Sequence, residues 1–184
     1  MGVLDALFRP KKAAPPKIDD LFKLRPASVD MERFGLDPTG KAGVCFKTIE
    51  TRDFGAVKSE IVNILTNSAF MARYEVEKDE YGFTWVAIDS LTPDDAIANV
   101  YMASTLLIDG GFGDHIVCAV FRFENDGKPA YWIYNYRRAN FYPFVPLQNK
   151  ERDFQLEYRL RLQVSEELPV ESIDYWYPIW GIPF

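Results

Sequence analysis

The sequence has few of the side chains that build metal sites and disulfide frameworks. Its 184 residues include two cysteines and a single histidine, His115. A structural zinc site needs several cysteine and histidine ligands at short spacing, so the common zinc patterns are excluded. Cys45 and Cys118 lie far apart in separate apolar runs, a pattern typical of two reduced core thiols and not of a secreted disulfide scaffold.

Positive charge is also scarce. The chain carries 27 acidic residues against 21 basic ones, a formal net charge of -6, which excludes the phosphate attraction that general nucleic-acid binders need. It also lacks the run of about 18 apolar residues that a transmembrane helix requires, and its first residues lack the cleavage site of a secretory signal. We therefore expect a cytoplasmic protein that binds no nucleic acid and contacts a membrane at most peripherally.

The remaining composition, 48% apolar and 26% charged, predicts one domain of ordinary size. Residues 1–17 are the exception, because an apolar patch containing Leu4, Leu7 and Phe8 precedes a basic, proline-broken linker. This apolar hook is interpreted either as a contact for a partner or an anionic membrane, or, as the pattern favours, as a frayed or self-packed terminus. We expect residues 18–184 to form a single domain that ends in an aromatic tail.

Hydrophobic periodicity predicts alternating strands and helices in this domain. A short amphipathic turn at 18–24 and an irregular stretch that ends at Gly40 precede the first strand. Thr92, followed by proline and two aspartates, predicts a helix start. Turns at 79–82 and 125–127 predict two hairpins. The order of elements predicts an α+β fold, with helices packed on a mainly antiparallel sheet.

Two segments near the end of the chain are harder to assign. Residues 141–146 include two prolines, which donate no ladder hydrogen bond, so we predict an apolar loop. Residues 152–167 carry apolar side chains at alternate positions, as a strand does, while their leucine, glutamate, arginine and glutamine content favours a helix. Three of the apolar residues also recur at every fourth position, and we predict a helix.

No catalytic constellation emerges from the sequence. His115 is the only neutral-pH base, and Cys118 lies three residues later, which places the two side chains on opposite faces of a strand. The glycines at 110, 111 and 113 follow a predicted helix instead of opening one, so they indicate a helix end and not a phosphate loop. We predict no cofactor and no enzyme. A pocket in which His115, Arg137 and Arg138 hold an anion stays open as an alternative.

Aromatic residues and prolines are concentrated in NYRRANFYPFVPL and in the final DYWYPIWGIPF. A chain end is usually polar, so these aromatic side chains must pack on something. One interpretation, which the pattern favours, is that the tail covers the open face of the domain's own sheet. The other is a partner-binding surface, because aromatic and arginine residues dominate interface energetics. The candidate binding residues are Arg137, Arg138, Phe141, Tyr142, Phe144, Trp176 and Trp180.

Several motifs of the chain resemble, in the same order, those of one known family. The motifs are GVLDALF, PTGKAGVCF, YGFTWVA, GFGDHIVCAVF, RRANFYPFVPL and LPVESIDYWYPIWGIP. In these the chain resembles the PspA-associated protein PspAB family from end to end. The predicted order of elements also resembles the secretion-chaperone-like fold, a two-layer fold of small protein-binding proteins.

The family resemblance implies a process and partners without a mechanism. It implies association with a phage-shock-type envelope stress system, in which PspA is a coiled-coil membrane-remodelling protein and the membrane protease HtpX is a frequent neighbour. The family has no catalytic residues to transfer. Our hypothesis is a non-enzymatic adaptor or regulator that binds protein partners. The alternatives are an anion-binding protein or enzyme, and a peripheral membrane stress sensor anchored by the N-terminal segment.

Overall fold

A computed structural model describes residues 17–48, 52–67, 72–164 and 168–184. Within these ranges the chain forms six strands and four α-helices, an α+β fold as the sequence predicts. The elements in chain order are α1 (Leu24–Arg33), β1 (Leu36–Lys47), α2 (Arg52–Asn67), β2 (Ala72–Lys78), β3 (Phe83–Ser90), α3 (Pro93–Asp109), β4 (Ile116–Asn125), β5 (Lys128–Asn135), β6 (Asn140–Phe144) and α4 (Phe154–Val164).

The strands form one sheet in the order β2-β3-β1-β4-β5-β6, and every neighbouring pair is antiparallel. Both predicted hairpins are confirmed. The β4–β5 hairpin turns through Asp126 and Gly127, whose φ angles are 50° and 72°, the left-handed values that a tight two-residue hairpin turn needs. The predicted start of α3 is also confirmed, because the Thr92 hydroxyl accepts a hydrogen bond from the Asp95 backbone N–H at 3.1 Å.

All four helices pack on one face of the sheet. Alternate strand residues such as Val44 and Phe46 join one buried cluster with apolar residues of the four helices. The residue between them, Cys45, belongs to a second cluster on the opposite face. Because side chains alternate across a strand, the sheet separates the interior into two cores. We call the two sides the helix face and the tail face.

The irregular stretch predicted between the amphipathic turn and Gly40 is wrong. It contains α1, and β1 already begins at Leu36. Pro26 lies in the first turn of α1, where no intrahelical N–H bond is lost, so it does not break the helix. The buried side chains recur at helical spacing, at Leu24, Ala27, Ser28 and Met31.

The loop predicted at 141–146 is also wrong, because Asn140–Phe144 forms β6. Pro143 lies opposite Trp132 of β5, and β6 is the last strand of the sheet, a position that tolerates a missing backbone donor. The helix predicted within 152–167 is confirmed as α4. The apolar hook at Leu4, Leu7 and Phe8 lies outside the described residues. In the described ranges, no helix combines the length and apolar character that crossing a bilayer requires.

Candidate partner-binding surface

The C-terminal segment leaves the helix-face core at Leu168 and, from Val170 to Phe184, runs across the sheet on the side opposite the helices. Its apolar side chains pack on a buried cluster formed by β1, β3, β4, β5 and β6. The Trp180 ring lies 5.1 Å from the Phe144 ring, and the Phe184 ring lies 6.3 Å from the Trp85 ring. The prediction that the tail covers the open sheet face is therefore confirmed.

Close approach of the tail depends on a glycine in β1. A Cβ atom at Gly43 would lie 2.7 Å from the Phe184 ring and 2.8 Å from the Val86 carbonyl oxygen, closer than van der Waals contact allows. Beside this contact, the Tyr131 hydroxyl donates a hydrogen bond to the Phe184 carbonyl at 3.0 Å. The sheet thus presents a flat site and a donor for the last residue.

Arg152 fixes the middle of the tail. Its guanidinium pairs with Glu157 of α4 at 2.8 Å, and the two side chains are 8% and 0% exposed. The same guanidinium donates to the Trp176 carbonyl at 2.8 Å, and the Val145 N–H donates to Glu157 at 2.7 Å. Burial raises the pKa of Glu157, although the hydrogen bonds from Arg152 and Val145 oppose the shift. Arg152 therefore joins α4, the end of β6 and the tail.

A second arginine holds the start of the tail. Arg138 forms a two-pronged ion pair with Glu171, and its guanidinium stacks 3.6 Å from the centre of the Tyr175 ring. Glu171 also accepts the Ser172 N–H at 2.8 Å. Burial acts to raise the pKa of Glu171, but the hydrogen bonds from Arg138, Ser172 and Asn140 outweigh it and lower the pKa.

The structure buries most of the sequence-predicted site residues and divides the aromatic ones between the two faces of the sheet. The aromatic residues Phe141, Tyr142, Phe144 and Trp176 are 0%, 2%, 1% and 6% exposed, so a partner cannot reach them directly. Trp180 is partly buried against Phe144. Tyr142, Phe144, Trp176 and Trp180 form a packed layer beneath the surface, whereas Phe141 belongs to the helix-face core.

The accessible part of this region consists of two arginines and three tail side chains. Ile173, Tyr175 and Tyr177 are 41%, 38% and 55% exposed. Arg138 is 40% exposed despite its ion pair with Glu171. Arg137 is exposed, and among the described contacts only its backbone N–H donates a hydrogen bond, to the Asn135 side chain. We call these five residues, Arg137, Arg138, Ile173, Tyr175 and Tyr177, the tail surface.

Sequence reasoning missed three of these residues and both ion pairs. A signal for the ion pairs is visible once the structure is known, because Glu157 lies among apolar residues of a helix and Glu171 follows Pro169 and Val170 in the tail. A carboxylate at such a position needs a cationic partner when it is buried. Which arginine supplies the charge depends on contacts that the fold creates, such as the one between Arg138 and Glu171.

His115 lies apart from the contacts of the two arginines. Its ring is 6.2 Å from the Phe112 ring, whereas Arg138 binds Glu171. Four surface cavities among the described residues have neither His115 nor Arg137 nor Arg138 in their lining. Within the described ranges, no group of three or more histidine, cysteine, aspartate or glutamate side chains is arranged to hold a metal ion.

The two cysteines face each other beneath the tail. Cys45 of β1 lies opposite Cys118 of β4, and both are free, buried thiols. A hydrogen bond with Cys118 and burial raise the pKa of the Cys45 thiol well above its ordinary value. Cys45 also lines a mostly apolar cavity of about 190 Å³ under Ile179 and Trp180. Both cysteines are therefore reduced thiols of the buried core, as the sequence predicts.

Comparison with known proteins identifies a family for this chain. A family model described as PspA associated protein B matches residues 1–184. A search of curated proteins finds no match. The name of the family indicates association with PspA, a protein partner. Because the match covers the whole chain, the resemblance seen in the motifs is confirmed, and this chain belongs to the PspA associated protein B family.

Proposed function

We propose that this chain is a cytoplasmic, non-enzymatic adaptor or regulator that acts with PspA in a phage-shock-type envelope stress response. It binds its protein partner through the tail surface. The observation that carries the proposal is the family match over residues 1–184, because the name of the family indicates association with PspA. An HtpX-type membrane protease is a second partner that belongs to the proposal only through the resemblance of the motifs.

The chemistry of the tail surface supports protein binding. Tyrosine and arginine are enriched at interface positions that contribute most to affinity. Here Tyr175 and Arg138 stack on each other, and Tyr177 is more than half exposed beside them. A partner that offers carboxylates and apolar side chains would complement this mixture of aromatic and cationic groups.

The buried layer beneath the surface supports the same function. Trp176 donates its indole N–H to the Glu171 carbonyl at 3.0 Å, and Arg152 holds the Trp176 carbonyl from the other side. The tail between these residues is therefore fixed before a partner arrives. A surface ordered in advance loses less conformational entropy on binding.

Calorimetric titration of the purified chain with purified PspA tests this proposal. We expect saturable binding that Tyr177→Ala and Arg137→Glu each weaken, Tyr177→Ala by about tenfold as for an interface anchor. Arg138 is unsuitable for this test, since its replacement breaks the pair with Glu171. The matched control is Lys128→Glu, an exposed charge reversal at the opposite end of β5, which should bind like the wild type.

Two results would count against the proposal. Folded wild-type protein that does not bind PspA contradicts the choice of partner. Equal binding by wild type, Tyr177→Ala and Arg137→Glu contradicts the choice of surface while leaving the partner in place. The same titration with the soluble portion of HtpX separates the two partners that the family resemblance implies.

A further inference from the structure

Helix α4 is apolar on two opposite sides. Its apolar residues occupy every second position, and two helical positions correspond to a rotation of about 200°. The six side chains therefore divide into two sets, each with members four residues apart. One set is Leu156, Leu160 and Val164; the other is Phe154, Tyr158 and Leu162. This arrangement explains why the segment resembles a strand in sequence and folds as a helix.

The first set accounts for the contact of α4 with its own domain. Leu160 and Val164 are 3% and 1% exposed, and Leu156 packs on the helix-face core beside them. The carboxylate on this side, Glu157, is fully buried and paired with Arg152. The side chains on the inner side of α4 therefore find their apolar contacts and their ion-pair partner within the domain.

Among the described residues the second set has little cover, the Arg152 guanidinium lying 4.6 Å from the centre of the Phe154 ring. Phe154, Tyr158 and Leu162 are 55%, 47% and 61% exposed, and together they form a stripe about 12 Å long, since eight residues of helix rise 1.5 Å each. Single exposed apolar residues are common on protein surfaces, but a continuous apolar stripe marks an interaction site. We call these three residues the α4 stripe.

The charges beside the stripe indicate what covers it. Along Phe154–Val164 the charged residues are Glu157, which is buried, and Arg159 and Arg161, which are not. Among the described residues neither arginine forms an ion pair. Because the two arginines are two helical positions apart, they flank the stripe on opposite sides. This cationic border stands out in a chain of net charge -6. A partner with carboxylates beside its apolar residues complements it, whereas a second copy of α4 would bring four arginines together.

We infer that the α4 stripe is the docking site for an amphipathic α-helix of another protein, one that carries aspartate or glutamate beside its own apolar stripe. Two helices with side chains at every third and fourth position interdigitate along their length. Arg159 and Arg161 then lie opposite the partner's carboxylates and set its orientation. This site lies on α4 and is separate from the tail surface, so it goes beyond the proposed function.

A designed peptide tests this inference without requiring PspA. The probe is a fluorescein-labelled peptide of three heptads, with leucine at the first and fourth positions and glutamate beside them. A second peptide replaces every glutamate by lysine. We expect fluorescence anisotropy to show that the wild-type chain binds the acidic peptide and not the basic one. Tyr158→Ala/Leu162→Ala should weaken binding at least about tenfold, the loss typical of removing interface anchors.

The matched control is Val29→Ala/Leu91→Ala, which also removes two exposed apolar side chains, 53% and 76% exposed, but outside α4. It should bind like the wild type. Arg159→Glu/Arg161→Glu should reverse the preference, so that the basic peptide binds more tightly than the acidic one. Because alanine favours helix, the α4 variants are expected to keep the wild-type circular dichroism spectrum.

Several outcomes would overturn the inference. It fails if the wild type binds neither peptide, or if the α4 double variant binds the acidic peptide as the wild type does. It also fails if light scattering shows a wild-type dimer that Tyr158→Ala/Leu162→Ala converts to a monomer, because a second copy then covers the stripe. Removal of residues 1–16 from both the wild type and the α4 double variant gives a further test. If it lowers the melting temperature of the wild type only, the chain's own N-terminal segment covers the stripe and the inference fails.

Discussion

The two faces of the sheet are covered in different ways. On the helix face, four helices supply apolar side chains at regular spacing to one continuous core. On the tail face, the segment from Val170 to Phe184 has one short 3-10 turn, Ile173–Tyr175, and one backbone bridge from Val170 to Phe141 of β6, and is otherwise irregular. Beyond this bridge it is held by hydrogen bonds from side chains, such as Tyr131 to Phe184 and Arg152 to Trp176.

This difference follows from how each cover satisfies its backbone. A helix makes its main-chain hydrogen bonds internally and needs only an apolar stripe to dock. An irregular segment against a sheet leaves carbonyl groups that other residues must bind. The helix face is therefore specified by a pattern spread over many residues, whereas the tail face is specified by a few donors at fixed positions.

The largest expected effect tests whether both faces are true cores. Trp85 on the tail face and Trp132 on the helix face are 1% and 0% exposed. We expect Trp85→Ala and Trp132→Ala each to lower the free energy of unfolding by about 3 to 5 kcal/mol, because each leaves a large cavity. Urea denaturation followed by circular dichroism measures both.

Unequal losses of unfolding free energy in the two alanine variants would show that the two faces are not equally well sealed. A loss below about 1 kcal/mol for Trp85→Ala alone would show that the tail does not seal its face, since an exposed tryptophan costs little to remove. The companion variant Trp85→Phe sharpens the test. The Trp85 indole N–H donates to Asp79 at 2.8 Å, whereas the buried indole N–H of Trp132 has no partner in the described structure. Trp85→Phe should therefore cost more than Trp132→Phe.

The contrast between the faces also explains what the sequence predicts well. Local signals such as the Thr92 cap and the two hairpin turns act within a few residues, and the structure has each of them. The two segments assigned wrongly both contain prolines. Pro26 in a first helical turn and Pro143 in an edge strand occupy positions where a missing N–H costs nothing, and those positions are visible only once neighbouring elements are known.

The candidate site was predictable only in part. The aromatic and arginine content of the tail indicates packing, and the structure brings Phe144 and Trp180 together. Which aromatic side chains end beneath the surface depends on how β6 pairs with β5 and where the tail crosses it. The pair of Arg138 with Glu171 joins residues distant in sequence, so no local pattern encodes it.

A smaller effect compares one hydroxyl on each face of β5. Tyr131 donates to the Phe184 carbonyl on the tail face, and Tyr134 donates to the Lys17 carbonyl on the helix side. Each holds one end of the described chain. We expect Tyr131→Phe and Tyr134→Phe each to lower the free energy of unfolding by about 1 kcal/mol, the net contribution of one hydrogen bond.

The two phenylalanine variants differ in what they release. Proteolysis should shorten the C-terminal end faster in Tyr131→Phe than in the wild type, and leave it unchanged in Tyr134→Phe, because of these two hydroxyls only that of Tyr131 bonds to the tail. Identical cleavage of the tail in all three proteins would show that apolar contacts alone retain it. The tail face would then resemble the helix face in how it is held.

The smallest expected effect concerns pH, and it separates the two buried glutamates. The pKa of Glu171 is lowered from its ordinary value of 4.5, so its ion pair stabilises the fold above about pH 4.5 and this contribution is lost as the pH falls through the lowered pKa. The pKa of Glu157 is raised, so its contribution is present below about pH 4.5 and is lost as the pH rises through the raised pKa.

Urea unfolding between about pH 3 and pH 7 distinguishes the contributions of the two glutamates. As the pH falls, the stability advantage of the wild type over Glu171→Gln should shrink, whereas its advantage over Glu157→Gln should grow. The Glu171 effect is modest because its partner Arg138 is 40% exposed and solvent screens the pair. Parallel pH profiles for the wild type and Glu171→Gln would mean that Arg138 does not hold Glu171 in its ionised form, and that the start of the tail is fixed by the Tyr175 stacking contact instead.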